Sequence, residues 1–295
     1  MIETTDVITY KNFITETLSY IEKGTPSKPW LQGRLHAGLA DEYYGLGMYY
    51  IPVGSISYAK GAFQNAVNIR YWLFKKYFSI HDWTRKEIEN LKEQYEERVL
   101  LSPNRLSAAA WKELLLAVLL NYPEIDDFNQ KYAIIARRKW PMYEHAAESQ
   151  YIGLLISYII DEATDSAMKL LEKKKPSIEA MFRGLPECLE NIVRKNKEGF
   201  FESIKNAAKQ WKKVARGSEK IMPYSTCFIW GCCLFKLSER VFGKNIYHDF
   251  LEQNEKLNFP QQLFDTNICP KDPYPIPDFV FNLILNMDGK NLTHE

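Results

Sequence analysis

Apolar residues recur at three- and four-residue intervals along most of the chain, with no period-two alternation of useful length. That spacing predicts helices rather than strands. Residues 7–23 keep it until Gly24, where Pro26 and Pro29 prevent a restart. Residues 30–51 continue it with Gly33, Gly38, Gly45 and Gly47, which let a neighbouring helix come close at a cost in helix propensity. Residues 55–78 follow, with Ser55 placed as a cap after Pro52 and Gly54. In residues 84–101, Thr84 and Glu87 have capping-box spacing, and Ile88, Leu91, Tyr95 and Val99 form one apolar stripe on a charged helix.

The chain is organised around residues 106–171, which read as two copies of one layout: an apolar helix, a short polar turn and a more amphipathic helix. An apolar residue near the end of the first helix is answered by another eight positions later. Leu120 pairs in this way with Phe128, Ile160 with Met168, and Val193 with Phe201. A looser fourth unit runs from Phe228 through Val241 and Gly243 into residues 246–253. The unequal unit lengths exclude a tetratricopeptide array, whose period is fixed at about 34 residues. The expected fold is all-α, with antiparallel helical hairpins stacked in an irregular repeat-like bundle of about ten to thirteen helices. Residues 1–295 are expected to form a single helical domain. Its parts are a front subdomain to about residue 101, a boundary at Ser102-Pro103-Asn104, repeat-like units over 104–264, and a tail from 265 to 295. In that tail, prolines alternate with Phe, Tyr and Ile, which predicts an ordered extended segment and a final short helix at 278–286.

Composition narrows the function classes. Charged residues make up 25% of the chain, yet the net charge is only +1. The basic excess of a nucleic-acid binder is therefore missing. Five cysteines at irregular spacing, without a CxxC pair, predict free thiols in a reducing compartment rather than a disulfide scaffold. The N-terminus has no basic region followed by an apolar run, so no signal peptide is expected. The longest apolar runs, 114–120 and 227–235, fall well short of the roughly 18 residues that span a bilayer. Together these features predict a cytoplasmic protein without membrane or nucleic-acid partners.

Candidate chemistry is sparse. Asp161-Glu162-Ala163-Thr164-Asp165 resembles the acidic motif of the all-helical isoprenoid synthases, where carboxylates one helical turn apart hold Mg²⁺. That reading needs a second metal-binding motif, and Asp126-Asp127 is a bare pair without a third carboxylate. The bland reading is a helix start, where carboxylates suit the dipole. None of the five histidines forms HxxxH or HExxH, and Cys227, Cys232 and Cys233 lie in an apolar run suited to burial. No GxSxG, Walker A or GxGxxG motif occurs. The expectation is no catalytic residue, no metal and no cofactor.

The charges do show a pattern. Acidic residues gather at the hairpin turns: Glu124, Asp126 and Asp127, then Asp161, Glu162 and Asp165. Basic residues gather where second helices end, at Arg137 to Lys139, at Lys173 to Lys175, and at Lys212, Lys213 and Arg216. Stacked units would turn this into an acidic edge and a basic edge, with the basic third turn at residues 194–197 breaking the acidic one. Tyr122 and Tyr158 stand beside the acidic turns as possible aromatic anchors for a partner.

The second half of the chain carries a further signal. Lys197-Glu198-Gly199-Phe200-Phe201, Ala207-Ala208, Trp211, Gly243 and Pro260-Gln261-Gln262-Leu263 occur in order around an apolar helix. Over residues 105–265 this order resembles the immunity protein 49 family of bacterial polymorphic toxin systems. The tail after Phe264 runs past the end expected of that family. A second immunity family, that of PoNe-type DNase toxins, is also helical and of similar length. The resemblance implies a non-enzymatic protein that binds a cognate toxin domain in the cytoplasm and blocks it. Two other classes stay open: a helical-repeat adaptor with a groove lined by Tyr43, Tyr44, Tyr49 and Tyr50, and a Mg²⁺-dependent isoprenoid-type enzyme. The latter would need a deep apolar cavity with Asp161 and Asp165 at its mouth.

Overall fold

The computed structural model describes residues 5–23, 29–80, 103–137, 144–217, 227–253 and 259–281. Among these the fold is all-α, without a strand. Three front helices come first: α1 (Thr5–Glu22), α2 (Pro29–Tyr50) and α3 (Ile56–Ile80). Four hairpins follow. They are α4 (Pro103–Leu119) with α5 (Ile125–Arg137), α6 (Glu144–Ile160) with α7 (Thr164–Leu171), α8 (Leu185–Val193) with α9 (Lys197–Gly217), and α10 (Ile229–Phe242) with α11 (Ile246–Gln253). A 3₁₀ turn, Gln261–Leu263, leads into the tail. The helix expected at 84–101, the capping box at Thr84 and most of the terminal helix lie outside the described residues. Pro103 and Asn104, at the expected boundary, begin α4, where a proline in the first turn loses no helical hydrogen bond.

The front helices form an antiparallel trio. Two of the glycines in α2 set its spacing: a Cβ at Gly45 would lie 2.1 Å from the Tyr10 ring of α1, and one at Gly47 would lie 2.5 Å from the Phe63 ring of α3. Gly38 faces open space. The tyrosines expected to line a groove are core residues: Tyr43, Tyr44 and Tyr50 are buried, and Tyr49 packs on Tyr10. The adaptor groove predicted from them is therefore filled by the protein itself.

Helix α4 lies at the centre of the packing, against α3, α5, α6 and α10. Its Trp111 meets Trp230 of α10 at 5.2 Å between ring centroids and Phe182 at 5.2 Å, edge-on. Trp230 in turn stacks on Tyr44 of α2 at 5.7 Å. Such aromatic pairs bury large apolar areas and favour these offset and edge-to-face geometries. One cluster of buried side chains runs without a break from Val7 in α1 to Val280 in the tail. Cys188, Cys227, Cys232 and Cys233 sit inside it and only Cys269 is exposed. Burial pushes the Cys188 thiol up to about 12 and raises Cys232 and Cys233 well above the ordinary range, so these thiols pack rather than react.

Candidate functional site

The hairpin turns share one backbone design. Each first helix ends in a residue with positive φ: Asn121 at 50°, Glu162 at 55° and Lys195 at 56°. Each such residue donates its N–H to a carbonyl three back, and the next residue donates to one five back. The pairs are Asn121 to Val118 and Tyr122 to Ala117, then Glu162 to Ile159 and Ala163 to Tyr158, then Lys195 to Ile192 and Asn196 to Asn191. This is the Schellman ending, which satisfies carbonyls left open at a helix C-terminus. The fourth hairpin turns at Gly243, φ 92°. Matching these positions makes Leu119, Ile160 and Val193 equivalent. The eight-residue offset therefore places the first hairpin one residue out of register, because its turn is two residues longer before α5 begins.

Glycine and asparagine tolerate this conformation, whereas Glu162 and Lys195 adopt it under strain. Replacing either by glycine is expected to raise stability by about 0.5–1 kcal/mol, after allowing for the freer unfolded chain. Urea unfolding of Glu162→Gly and Lys195→Gly checks this. A loss of stability in both would mean that the long side chains contribute more through packing than the backbone loses.

The two acidic turns meet in space. The Asn129 amide, fully buried on α5, donates to the Ser157 carbonyl at 3.2 Å and to Asp161 Oδ1 at 2.7 Å. Arg240, in the last turn of α10, donates to the Ile160 carbonyl at 3.1 Å and lies 3.9 Å from Asp126 Oδ1. One guanidinium thus joins the start of α5 to the end of α6. Sequence reading did not find either organiser, since their hydrogen-bonding partners lie at least 28 residues away. The hint available was a lone asparagine directly after the core residue Phe128, and a basic residue in a last helical turn.

The six carboxylates are not equivalent. Asp127 accepts from Tyr71 at 2.6 Å and pairs with Lys131. Partial burial pushes its carboxyl up, but these two hydrogen bonds outweigh that and hold it below the ordinary aspartate range. Asp161 is engaged by Asn129. Glu124, Asp126, Asp161, Glu162 and Asp165 are exposed. Glu124, Asp126, Asp127 and Asp165 lie at helix starts, where the dipole favours them. Asp161 and Glu162 follow the C-terminus of α6, where it does not. Tyr122, expected as an anchor, points inward: it is 7% exposed and packs edge-on against Tyr71 at 5.9 Å. Tyr158 is half-buried and stays at the surface.

Tyr158 lines a hollow of about 190 Å³ between the second and third turns. Its floor is apolar, from Ile159, Ala167, Ile192, Val193 and Val241, and its rim carries Glu162, Lys195 and Arg240. A second hollow of about 460 Å³ lies between the segment after α7 and α8, lined by Lys175, Arg183, Glu187 and Glu190 among others. Neither has Asp161 or Asp165 in its lining. Asp161, Glu162 and Asp165 also stand on both sides of a turn rather than on one helix face, unlike the isoprenoid motif they resemble in sequence. Among the described residues one other group has metal-ligand spacing: His248, Asp249 and Glu252 on the surface of α11. There Asp249 pairs with Lys197 at 2.6 Å and His248 lies 3.3 Å from Glu252.

The basic third turn adjoins the second. Arg194 pairs with Glu190 at 3.0 Å, leaving Lys195 facing Glu162 across the hollow. Of the expected basic edge, Lys173, Lys174, Lys212 and Lys213 are exposed, and Lys175 pairs with Glu190 at 2.6 Å. The side chains of Arg137 to Lys139 and of Arg216 lie outside the described residues.

No family model matches this chain, and neither a curated protein nor a solved structure does. Among the described residues no helix is long and apolar enough to cross a membrane.

Proposed function

We propose that this protein binds a basic protein surface through its acidic turn edge, and that the partner is a cognate toxin domain which it neutralises without catalysis. The observation that carries this reading is the placement of Asp161 and Glu162. They gain nothing from the helix that precedes them, yet both are exposed, and Arg240 links the Ile160 carbonyl just before them to Asp126. The resemblance of residues 105–265 to an immunity family supplies the class of partner. Many toxin domains act on nucleic acids and so present basic working surfaces, which such an edge complements. Protection would take place in the cytoplasm, where the toxin's target lies.

Exposure and side-chain engagement support a narrower set of residues for the contact. Glu124, Asp126, Glu162 and Asp165 are the contact charges, with Tyr158 beside them. Tyr122 serves the fold beneath, and Asp127 and Asp161 are engaged at the surface by Tyr71 and Asn129. A stable complex buries on the order of 1,600 Å², so the hollow next to Tyr158 would form part of the contact. The test is co-expression with the toxin-like product of the neighbouring gene. Growth should be rescued by the wild-type chain and lost when Glu124, Asp126, Glu162 and Asp165 are all replaced by lysine. Rescue by that variant at wild-type level would move the recognition surface elsewhere.

A further inference from the structure

The tail does more than end the chain. After the 3₁₀ turn, residues 265–281 cross α3 and then α2, reaching α1 on the way. The polar contacts that hold them run mostly in one direction, from buried side chains of the front helices to main-chain carbonyls of the tail. The Lys60 ammonium donates to the carbonyls of Asp265 and Ile268, at 3.2 Å for the latter. The Asn65 amide donates to the Tyr274 carbonyl at 3.2 Å and to Asp272 Oδ1 at 2.9 Å. The Tyr43 hydroxyl donates to the same Tyr274 carbonyl at 2.9 Å. His36 Nε2 lies 3.3 Å from the Val280 carbonyl, as a donor. All four of these front-helix side chains are at most 7% exposed. In return the groove accepts one tail N–H, that of Lys271, at the Ser57 carbonyl, 2.9 Å away.

We propose that the groove across α1, α2 and α3 is a binding site for an extended proline-rich peptide, and that residues 265–281 occupy it as a resident ligand. The chemistry of the two sides matches. Prolines at 270, 273, 275 and 277 remove four of the eight N–H groups between 270 and 277. Tyr274 turns its own N–H to Asp272 Oδ1. What such a segment offers is a row of carbonyls, already stiffened by proline, and a set of donors is what recognises it. The groove is also cut to backbone dimensions. At Gly61 of α3 a Cβ would lie 2.0 Å from the Lys271 carbonyl oxygen, so the peptide chain passes where a side chain would otherwise stand. Reading is completed at two side chains: Asp272 on Asn65, and the Tyr274 hydroxyl 2.8 Å from Thr15 Oγ1 of α1. A partner segment with the same chemistry would compete for this groove, which is separate from the acidic edge.

The test uses the full chain and a fluorescent synthetic peptide of residues 265–281. Asp272→Ala with Tyr274→Ala weakens the resident segment and leaves the groove intact. That variant should bind the peptide saturably and at least tenfold more tightly than the wild-type chain, whose groove is filled. Adding Gly61→Ala, a change that favours a helix interior, should abolish the gain by blocking the path, and adding Asn65→Ala should weaken it at least tenfold. A folded double variant that binds no better than wild type, or that is indifferent to Gly61→Ala, overturns the proposal. If the double variant does not fold, the wild-type chain decides. A fluorophore on Cys269, the one exposed thiol, should gain mobility as unlabelled peptide displaces the tail, and unchanged anisotropy at millimolar peptide overturns the proposal.

Discussion

Replacing Arg70 by methionine is expected to cost the fold about 3–5 kcal/mol, the largest effect of any single polar substitution in the core. Arg70 is 1% exposed on α3, and its Nη2 reaches Glu113 of α4 at 3.0 Å, Asp41 of α2 at 3.3 Å and the Ala37 carbonyl at 3.4 Å. It therefore ties α2 and α3 to α4 at the centre of the bundle. The pair is only half-satisfied, since Arg70 Nε and Nη1 and Glu113 Oε2 have no hydrogen-bond partner. Burial raises the Glu113 carboxyl against the pull of Arg70. Without Arg70 it would stand buried and alone. The double variant Arg70→Met with Glu113→Leu should recover most of the loss, because apolar pairs of similar volume replace buried ion pairs at little cost. Urea unfolding of the two single variants and the double variant measures this. A single-variant cost below about 1 kcal/mol would mean that water reaches the site.

Stability is expected to fall as pH rises from about 4.5 to about 7, and Glu42 on α2 is the main cause. Its Oε1 accepts from Thr17 at 2.8 Å, while Oε2 is buried without a partner. Burial raises its carboxyl to about 7 from the ordinary 4.5, opposed by the Thr17 hydrogen bond and helped by Asp41 and Glu16. Between those values the folded chain binds a proton that the unfolded chain has released, so folding is favoured on the acid side and loses that advantage as pH passes 7. The difference is on the order of 1–2 kcal/mol once the solvent still reaching this half-buried group is allowed for. Glu42→Gln keeps the shape of the neutral acid. It should raise Tm at pH 8 by several degrees and flatten the curve between pH 5 and 8. Equal pH dependence in the variant and the wild type would assign the slope to another group. Asp127 and Glu190 act in the opposite sense. Their carboxyls are lowered despite partial burial, so their contribution disappears only as pH falls through the acid range.

Much of this was legible in the residues themselves. Helical spacing located α1, α2 and α3 to within about two residues at each end, because Gly, Pro or Ser stand near most of their ends. Close helix approach, expected of the α2 glycines, holds at Gly45 and Gly47 but not at Gly38, which faces open space. The hairpins were visible as an eight-residue offset, although Tyr122 and Pro123 lengthen the first turn and hide the true register. Burial of individual polar and aromatic residues was not legible. Tyr43, Tyr44 and Tyr122 carry hydroxyls that a sequence pattern places at the surface, and packing turns them inward. Nothing in the helical spacing singles out Asn129, Arg240, Lys60 or Asn65. Their roles come from carbonyls and carboxylates far along the chain, which no local period encodes.

The acidic edge as a recognition surface is the central claim, and an association rate tests it most directly. Stopped-flow mixing of the cognate toxin domain with the wild-type chain should be fast at low salt and slow steeply as salt is added. With Glu124, Asp126, Glu162 and Asp165 changed to lysine, the low-salt rate should fall at least about tenfold, and the two proteins should converge at high salt. A folded quadruple variant that associates at the wild-type rate across the salt range would contradict the account.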